Sequence, residues 1–320
     1  MTNAVRLRTG TEAPPGHSSY RTYMTTTAPV PATAIGSADP YARSAGLDDA
    51  TAGMLATRLE TRGAQPQQAA LRQAFLSRLP RRAGARVLEV GCGTGIVARD
   101  LAAIPGVASV VGVDPSRQFI KRARSLSRDD AVLRFEVGDG TALPFDDHQF
   151  DVAVFATTLC HVIDPRAALG EAFRVLVPGG TLLVFDGDYA TATVAQDRDD
   201  PLQACVTAAV TRLVHDPWLV RRLRTLLTAA GFVAPDLDSH GYVESGTATY
   251  MSTLVDFGAS ALAEDATVST QLADALKAEA RNRIASGTFF GHIAYASVLA
   301  TRPHHAPGLP TSATAKLATN

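Results

Sequence analysis

The stretch RVLEVGCGTG, residues 86–95, joins a short apolar run to a turn that contains Gly91, Gly93 and Gly95. The apolar run predicts a buried strand, and the glycines predict a sharp turn from that strand into a helix. Because glycine has no Cβ atom, the backbone of such a turn can approach a ligand closely. Open α/β sheets bind ligands beyond the carboxyl ends of their strands, so this turn is a candidate site, although a plain strand-to-helix connection uses the same glycines.

The segments after this turn alternate between apolar runs and helical patterns. Four further runs predict buried strands: SVVGV (109–113), VLRFEV (132–137), FDVAVFA (150–156) and TLLVFD (181–186). A helical stripe over residues 169–176 precedes the last of these runs and is stopped by Pro178 and two glycines. Strands that alternate with helices favour parallel pairing through right-handed crossovers, so the pattern predicts an α/β fold with a doubly wound sheet.

The later part of the chain predicts more structure than a minimal domain needs. Apolar residues at helical spacing indicate one helix over residues 202–213 and a second over residues 218–230. A strand follows and ends before Gly241, two helices occupy residues 247–286, and a final apolar strand covers residues 289–300. The additions predict helical elements around the sheet edge that carries the glycine turn.

Both ends of the chain have a different composition. Residues 1–40 are rich in Thr, Ala, Pro and Ser and lack an apolar period, and residues 304–320 have the same character. Such segments bury too little apolar surface to offset the entropy of ordering, so we expect disordered tails on a domain over residues 41–303. Met24 is a candidate start of translation beside Met1.

Charge and cysteine content exclude several functional classes. The chain has 30 Lys plus Arg against 31 Asp plus Glu, a net charge of −1, so it lacks the basic excess typical of nucleic-acid binding. Cys92, Cys160 and Cys205 form no CxxC pair, which argues against a structural zinc site, a disulfide framework and a metal cofactor.

The sequence also bears on location and partners. No apolar stretch reaches the roughly 18 residues of a membrane span, and the N-terminus lacks a signal-peptide pattern. We therefore expect a cytoplasmic protein with no membrane or nucleic-acid partner, a small-molecule substrate and a possible homodimer.

Acidic residues follow the first strands at positions suited to a nucleoside. Asp114 closes the second strand about 20 residues beyond the glycine turn, where an acid can accept from both ribose hydroxyls. Asp139 follows the third strand and is suited to accept from an adenine amino group. Each acid alone fits a turn or a helix cap, but three adjacent strand ends with suitable groups predict a nucleoside site.

Four motifs resemble the successive motifs of class I, Rossmann-like S-adenosylmethionine-dependent methyltransferases. They are VLEVGCGTG (87–95), VVGVDPS (110–116), GDGTALPFDDHQFDVAV (138–154) and FRVLVPGG (173–180). The resemblance covers about residues 84–186 and is nearest to the small-molecule branch of quinone and natural-product methyltransferases. It implies a seven-stranded, mostly parallel sheet of order 3-2-1-4-5-7-6 with the last strand antiparallel and helical lid insertions, and S-adenosylmethionine as cofactor.

The resemblance also implies a set of cofactor-binding residues: Glu89, Gly91, Cys92, Gly93, Asp114, Asp139, Gly140 and Thr157. Glu89, Gly91 and Gly93 would surround the methionyl part of the cofactor. Asp114 would bind its ribose, and Asp139 would address the adenine together with the Gly140 backbone.

Thr157, just past the fourth strand, would lie near the sulfonium of the cofactor.

A nicotinamide-dependent oxidoreductase is the main alternative enzyme, but its GxGxxG motif requires a third glycine at position 96, which is Ile96 here. A protein of the same fold that binds the cofactor without methyl transfer, as a binding module or a cyclase, is the other alternative.

The acceptor side is predicted from topology. If the last strand is antiparallel, its start lies at the cofactor edge, so Phe289 and His292 enter near the acceptor, and His292 is the first candidate for a base. His161, after the fourth strand, is the second candidate for a base. A purely structural role, as a packed histidine, is the alternative at both positions. We predict an O, N or C methyl acceptor in a partly apolar metabolite, with Tyr41 and Asp188 at its pocket.

Three segments are expected to form the lid over this edge. They are residues 41–80, 187–218 and 241–287.

Overall fold

The computed structural model describes residues 39–128 and 130–304. Their strands form a seven-stranded sheet in the order β3-β2-β1-β4-β5-β7-β6. The strands are β1 Ala85–Val90, β2 Val107–Asp114, β3 Leu133–Val137, β4 Phe150–Ala156, β5 Leu176–Thr193, β6 Val233–Ser245 and β7 Phe290–Thr301. Strands β1 to β5 pair in parallel, and β7 runs antiparallel to both β5 and β6. The predicted sheet is confirmed.

Helices cover both faces of the sheet and its cofactor edge. They are α1 Asp49–Gly63, α2 Pro66–Leu76, α3 Ile96–Ala102, α4 Arg117–Leu126, α5 Pro165–Val175, α6 Leu202–Leu213, α7 Leu223–Ala229, α8 Tyr250–Glu264 and α9 Thr270–Ala285. Short 3-10 turns occur at Ser44–Gly46, Leu159–His161 and Leu219–Arg222. Within the two described ranges, no helix combines the length and the apolar character needed to cross a bilayer.

Two residues of the predicted N-terminal tail, Asp39 and Pro40, are among the described residues. Asp39 is 1% exposed and packs within the folded part, although its composition placed it in the tail of residues 1–40. The remainder of that predicted tail, and residues 305–320 of the other one, lie outside the described residues. The composition of this segment gives no sign that the Asp39 carboxylate is buried.

Helix α4 begins directly after a capping serine. The side chain of Ser116 accepts a hydrogen bond from the backbone N–H of Phe119 at 3.3 Å, so Ser116 is the N-cap and the helix begins at Arg117. Asp114 in turn accepts from the backbone N–H of Ser116 at 2.8 Å, which fixes the turn between strand and helix.

Strands β5 and β6 are longer than their apolar runs. The run that predicts β5 covers residues 181–186, but the strand continues to Thr193 because β7 pairs with it as far as Thr193 and His292. Strand β6 passes through Gly241 and pairs with β7 up to Ser245 and Phe290. Antiparallel pairing supplies hydrogen-bond partners beyond the buried core, so both strands extend past the residues that hydrophobicity marks.

The centre of the sheet is buried on both faces, as expected for a doubly wound fold. Val87, Leu88 and Val90 of β1 are each at most 2% exposed. Burial of one such side chain contributes about 1.5–3 kcal/mol. On the other side of β4, Phe185 of β5 stacks against Phe75 of α2 and against Tyr295 of β7, with ring centroids 4.3 and 5.2 Å apart.

Helix α1 packs as a separate layer over the glycine turn. Ala52, Leu55 and Ala56 of α1 bury themselves against Phe119 of α4 in a small cluster of their own. Near the other end of α1, Glu60 accepts two hydrogen bonds from Arg99 of α3 at 3.1 and 3.0 Å. These contacts place α1 at the carboxyl edge of the sheet, where it contributes to the candidate site.

Candidate functional site

The turn after β1 depends on glycine at two positions. Gly91 and Gly93 have φ values of 72° and 52°, in the left-handed region that L-residues rarely adopt. A Cβ atom on Gly91 would lie 2.2 Å from Cγ2 of Thr158, the residue two positions after β4. The backbone N–H of Gly91 donates to the carbonyl of Val113 at 2.7 Å. The turn is therefore packed between the ends of β2 and β4.

This turn forms one wall of a cavity of about 450 Å³ at the carboxyl edge of the sheet. The volume lies in the range of small-molecule and cofactor sites, which is roughly 300–1,000 Å³. All eight residues expected to bind the cofactor line it: Glu89, Gly91, Cys92, Gly93, Asp114, Asp139, Gly140 and Thr157. The cavity also includes Tyr41 and His161 of the predicted acceptor side.

Asp114 is held by the backbone on both of its oxygens. Oδ2 accepts from the N–H of Gly93 at 2.9 Å and Oδ1 accepts from the N–H of Ser116 at 2.8 Å. Burial raises the pKa of Asp114 to about 6, while these two N–H groups act to lower it. Each carboxylate oxygen has a second lone pair, so Asp114 can also accept from ligand hydroxyls in the cavity.

Glu89 carries a polar atom with no protein partner. The residue is 2% exposed, and among residues 39–128 and 130–304 no group hydrogen-bonds its Oε2. Burial raises the pKa of Glu89 to about 8, reinforced by the negative charge of Asp114 and opposed by the backbone N–H of Ala98 and by Arg99. A buried carboxyl with an orphaned oxygen on a cavity wall fits a cationic ligand group.

A second orphaned atom lies on the same wall. Oγ1 of Thr94 is buried without a hydrogen-bond partner in the described part of the chain, and Thr94 lines the cavity beside Glu89. The pair supplies an acidic and a hydroxyl group to one end of the cavity. The residues present therefore fit the aminoacyl end of S-adenosylmethionine.

Asp139 is an exposed residue of the cavity lining. Its Oδ1 accepts from the backbone N–H and from the hydroxyl of Thr141, both at 2.8 Å. This arrangement orients the side chain at the cavity rim. Gly140 lines the same rim, and a Cβ atom there would lie 2.7 Å from Cγ1 of Val90.

Thr157 has a left-handed backbone, with φ of 51°, directly after β4. Non-glycine residues rarely adopt this conformation, and such strain is concentrated at functional sites. The N–H of Thr157 donates to the carbonyl of Phe185 at 2.6 Å, which holds the strained residue against β5. Thr157 also lines the cavity.

A smaller chamber adjoins the cavity. It has a volume of about 30 Å³ and shares Tyr41, Leu59, Arg62 and His161 with the larger cavity. The rest of its wall comes from helices α1, α6 and α8 and from the strand β5: Arg58, Tyr189, Val210, Leu213, Val214, Tyr250 and Leu254. None of the eight predicted cofactor residues lines it.

His161 stands at the wall common to both spaces. Its Nδ1 lies 2.7 Å from Oδ2 of Asp39, which is 1% exposed. Because a carboxylate only accepts hydrogen bonds, Nδ1 donates, and Nε2 is the ring nitrogen left for another partner. The Tyr41 ring lies 5.0 Å from the His161 ring between centroids. Burial raises the pKa of Tyr41, so its hydroxyl is a neutral donor.

The turn that carries His161 is fixed by its neighbour Cys160. The N–H of Cys160 donates to Oδ2 of Asp186 at 3.1 Å, and its carbonyl accepts from the N–H of Asp216 at 2.9 Å. Burial raises the pKa of Asp186, which sits fully enclosed at the end of the buried part of β5. These backbone contacts hold His161 in place without using its side chain.

The other predicted acceptor residues do not line either space. His292 is half-buried on β7, paired with Thr193 of β5 and Val243 of β6. Phe289 is 1% exposed and belongs to the hydrophobic core. Asp188 accepts from Nε of Arg221 at 2.8 Å. Strand β5 extends beyond Asp186, and His292 near the start of β7 pairs with this extension at Thr193.

Sequence reasoning missed Asp39, Arg58, Arg62 and Thr94. Asp39 lies within the composition of the tail, and the two arginines lie on a helix whose inner face no motif marks. Thr94 lies within the glycine turn, so the motif itself indicated that this residue is close to the cofactor site.

Cys92 and Cys160 are buried, and burial raises the pKa of both thiols well above their ordinary value.

Comparison with known proteins agrees with this geometry. A family model described as "Methyltransferase domain" matches residues 88–184. The uncharacterized 37.1 kDa protein in transposon TN4556 of Streptomyces fradiae is 33% identical over 162 residues, 50% of this chain and 47% of that protein. The 2-methyl-6-phytyl-1,4-hydroquinone methyltransferase of Synechocystis sp. is 34% identical over 166 residues, 52% of this chain and 49% of that enzyme.

The fold is also present among solved structures. A Bacillus halodurans crystal structure named as a methyltransferase superposes with a TM-score of 0.53 at 20% identity, over 72% of this chain and 98% of that one. This likeness concerns the fold alone. The chain spans about half the length of the curated relatives it matches. The resemblance to class I methyltransferases and the choice of S-adenosylmethionine as cofactor are confirmed.

Proposed function

We propose that this chain, which contains a class I methyltransferase domain over residues 88–184, methylates a hydroxyl or phenolic oxygen of a small, partly apolar metabolite. The observation that carries the proposal is the contact between His161 and the buried Asp39 at the wall shared by the two cavities. Methyl transfer to an uncharged amine does not need such a base as directly as transfer to a hydroxyl does.

Residues on the larger cavity fit the cofactor. Glu89 and Thr94 would receive the methionyl amino group, Asp114 the ribose hydroxyls, and Asp139 the adenine end. When bound, S-adenosylmethionine supplies a methyl group on a sulfonium, which is a good leaving group. The protein then has to orient the acceptor and exclude water, and orientation alone contributes on the order of 7–11 kcal/mol.

His161 would accept the proton of the acceptor hydroxyl on Nε2. Asp39 holds the ring by accepting the Nδ1–H, which leaves Nε2 as the ring nitrogen available to the acceptor. Removal of the proton makes the oxygen a better nucleophile, and a positioned base is worth roughly 10²–10⁴-fold in rate. Tyr41 packs against the same ring and closes the wall.

One relative supports a phenolic acceptor molecule, although its name does not state which atom is methylated. This relative is named as a methyltransferase of a hydroquinone, a compound with phenolic hydroxyls. The apolar walls of the smaller chamber, which include Leu213 and Leu254, suit the body of such a molecule. A cofactor-binding protein without methyl transfer is the second candidate, since it would use the same eight cavity residues.

The experiment is a comparison of two histidine variants of the full chain. Release of S-adenosylhomocysteine is measured across a panel of phenols, amines and carboxylic acids, and cofactor affinity is measured by calorimetry. We expect turnover with hydroxyl acceptors, a loss of at least tenfold in kcat for His161→Ala, and unchanged kcat for the control His292→Ala.

Cofactor binding without turnover on any acceptor would favour the binding protein. Full activity of His161→Ala would remove the proposed base.

A further inference from the structure

We propose that the smaller chamber is a recognition site for an anionic oxygen group of the acceptor, a carboxylate above all, held by Arg62 and Arg58. The inference rests on the proposed function, because it takes the chamber to be part of the binding site for the methyl acceptor. It identifies the acceptor class as apolar or aromatic hydroxy acids.

The two arginines face the same space. They are four residues apart on α1, so they lie on one face of the helix, and both line the chamber. Arg62 also lines the larger cavity, whereas Arg58 does not. Two cations at this spacing repel each other, and an anion between them relieves that repulsion.

No carboxylate of the described residues compensates these charges. Within residues 39–128 and 130–304, neither guanidinium forms a hydrogen bond or an ion pair, and Arg62 lies over the ring of Tyr250, at 5.2 Å from Cζ to the centroid. Arginines nearby are paired: Arg72 with Asp100 and Arg99 with Glu60. Partly buried charges are normally paired, so the unpaired arginines indicate a missing anion.

The tyrosines around Arg62 do not supply that anion. Burial raises the pKa of Tyr189 well above its ordinary value, and burial also raises the pKa of Tyr295. Both therefore remain neutral phenols at physiological pH. The hydroxyl of Tyr295 is buried with no hydrogen-bond partner in the described chain, so this cluster has donor capacity that the protein leaves unused.

The dimensions and the walls define the ligand. A chamber of about 30 Å³ admits a carboxylate-sized group rather than a whole metabolite. Val210, Leu213 and Leu254 make the remaining wall apolar, so the group must be attached to an apolar body. Because His161 borders both spaces, a hydroxyl on that body can reach His161 while the anionic group contacts the arginines.

The cofactor carboxylate is the competing anion. It belongs with the predicted cofactor residues, none of which lines the chamber, whereas Arg58 is confined to the chamber. The geometry therefore favours the acceptor. The affinity of the Arg62 variants for S-adenosylhomocysteine decides between the two.

The test measures binding rather than turnover. With saturating S-adenosylhomocysteine, the affinities of 4-hydroxybenzoate, phenylacetate and hydroxycinnamate are measured by calorimetry, each against its neutral amide. We expect each acid that binds to bind at least tenfold more tightly than its amide. We also expect Arg62→Gln and Arg58→Gln to reduce that preference at least fivefold, and Arg62→Lys to retain most of it.

Arg117→Gln is the matched control, because Arg117 is exposed at the start of α4 and lines neither space. The control should leave the acid preference unchanged. Every variant should bind S-adenosylhomocysteine within twofold of the wild type, which also establishes that it is folded.

Equal affinity for acids and amides, or binding of none of the acids, would overturn the proposal. A parallel loss of S-adenosylhomocysteine affinity in Arg62→Gln would instead assign Arg62 to the cofactor and would also overturn it. A retained acid preference in a protein without methyl transfer would refute the proposed function alone.

Discussion

Nδ1 of His161 lies 2.7 Å from Oδ2 of Asp39, a residue 122 positions earlier in the chain. The same Asp39 accepts backbone N–H groups from Tyr41 at 2.8 Å and from His215 at 3.0 Å. One buried carboxylate thus joins the segment before α1, the turn after β4 and the segment after α6. These are three walls of the proposed acceptor site, so Asp39 is the residue that positions them.

Replacement of Asp39 by asparagine tests the contact between Asp39 and His161. The amide keeps one acceptor oxygen but no charge, so we expect kcat to fall at least tenfold, about 1.4 kcal/mol, while the affinity for S-adenosylhomocysteine stays within twofold. In the double variant with His161→Ala, the Asp39 substitution should cause no further loss of kcat. Additive losses in the double variant would mean that Asp39 acts through the fold and not through His161.

Replacement of Asp114 by alanine tests the cofactor site. The variant removes the acceptor for the N–H groups of Gly93 and Ser116 and the proposed acceptor for ribose hydroxyls. We expect the affinity for S-adenosylmethionine, measured by calorimetry, to fall at least tenfold, about 1.4 kcal/mol. Asp236→Ala, on the edge strand β6, serves as the control and should bind normally. An unchanged affinity in Asp114→Ala would speak against the assignment.

The sheet and the cofactor wall could be predicted from sequence because both depend on local signals. Apolar runs mark the buried strands, and Gly91 must be glycine for the turn to pack. The acceptor side could not be predicted in the same way. Asp39 and Arg62 reach the site only through the packing of α1, and the length of β5 depends on its pairing with β7.

The same difference explains the choice between the two histidines. The topology predicted from the sequence places the start of β7 at the cofactor edge, and His292 is therefore the first candidate for the base. The pairing of Thr193 with His292 shows that β5 continues well beyond Asp186, so His292 lies past the cavities. His161 follows β4 directly and stays at the edge.

Substitution of Gly91 by alanine tests the packing of the turn. The added Cβ atom would lie 2.2 Å from Cγ2 of Thr158, and φ at this position is 72°, so we expect a loss of about 2–5 kcal/mol in the free energy of unfolding. Thr158→Ala in the same chain removes the closest contacts and should recover part of the loss. Chemical denaturation measures both variants.

Gly170→Ala is the matched control for Gly91→Ala. Gly170 lies on α5 with an ordinary φ, and a Cβ atom added there would have no neighbouring atom within 4 Å. Alanine should therefore leave stability unchanged or raise it by about 0.5–1 kcal/mol. Equal destabilisation at both positions would contradict the steric explanation for Gly91.

Glu89 should couple cofactor binding to a proton. Burial raises its pKa to about 8, so the carboxyl is mostly protonated in the free protein at pH 7. A cationic amino group beside its orphaned Oε2 would favour the carboxylate, so binding should release up to one proton, and affinity should increase as the pH rises from 6 towards 8. Calorimetry in buffers of different ionisation enthalpy measures the release, and Glu89→Gln should abolish it.

The same pKa predicts how the stability of the free protein changes with pH. The folded-state pKa of Glu89, about 8, lies above its ordinary value of 4.5, so its contribution to stability is fully present below pH 4.5 and is lost as the pH rises through 8. The pKa of Asp114 is raised from 3.8 to about 6, so its contribution to stability is likewise lost as the pH rises, between about pH 3.8 and pH 6. Urea unfolding without cofactor should therefore show that Glu89→Gln loses less stability between pH 5 and pH 8 than the wild type does. If the two proteins lose stability in parallel, Glu89 titrates near its ordinary pKa, and binding at pH 7 would then release no proton from it.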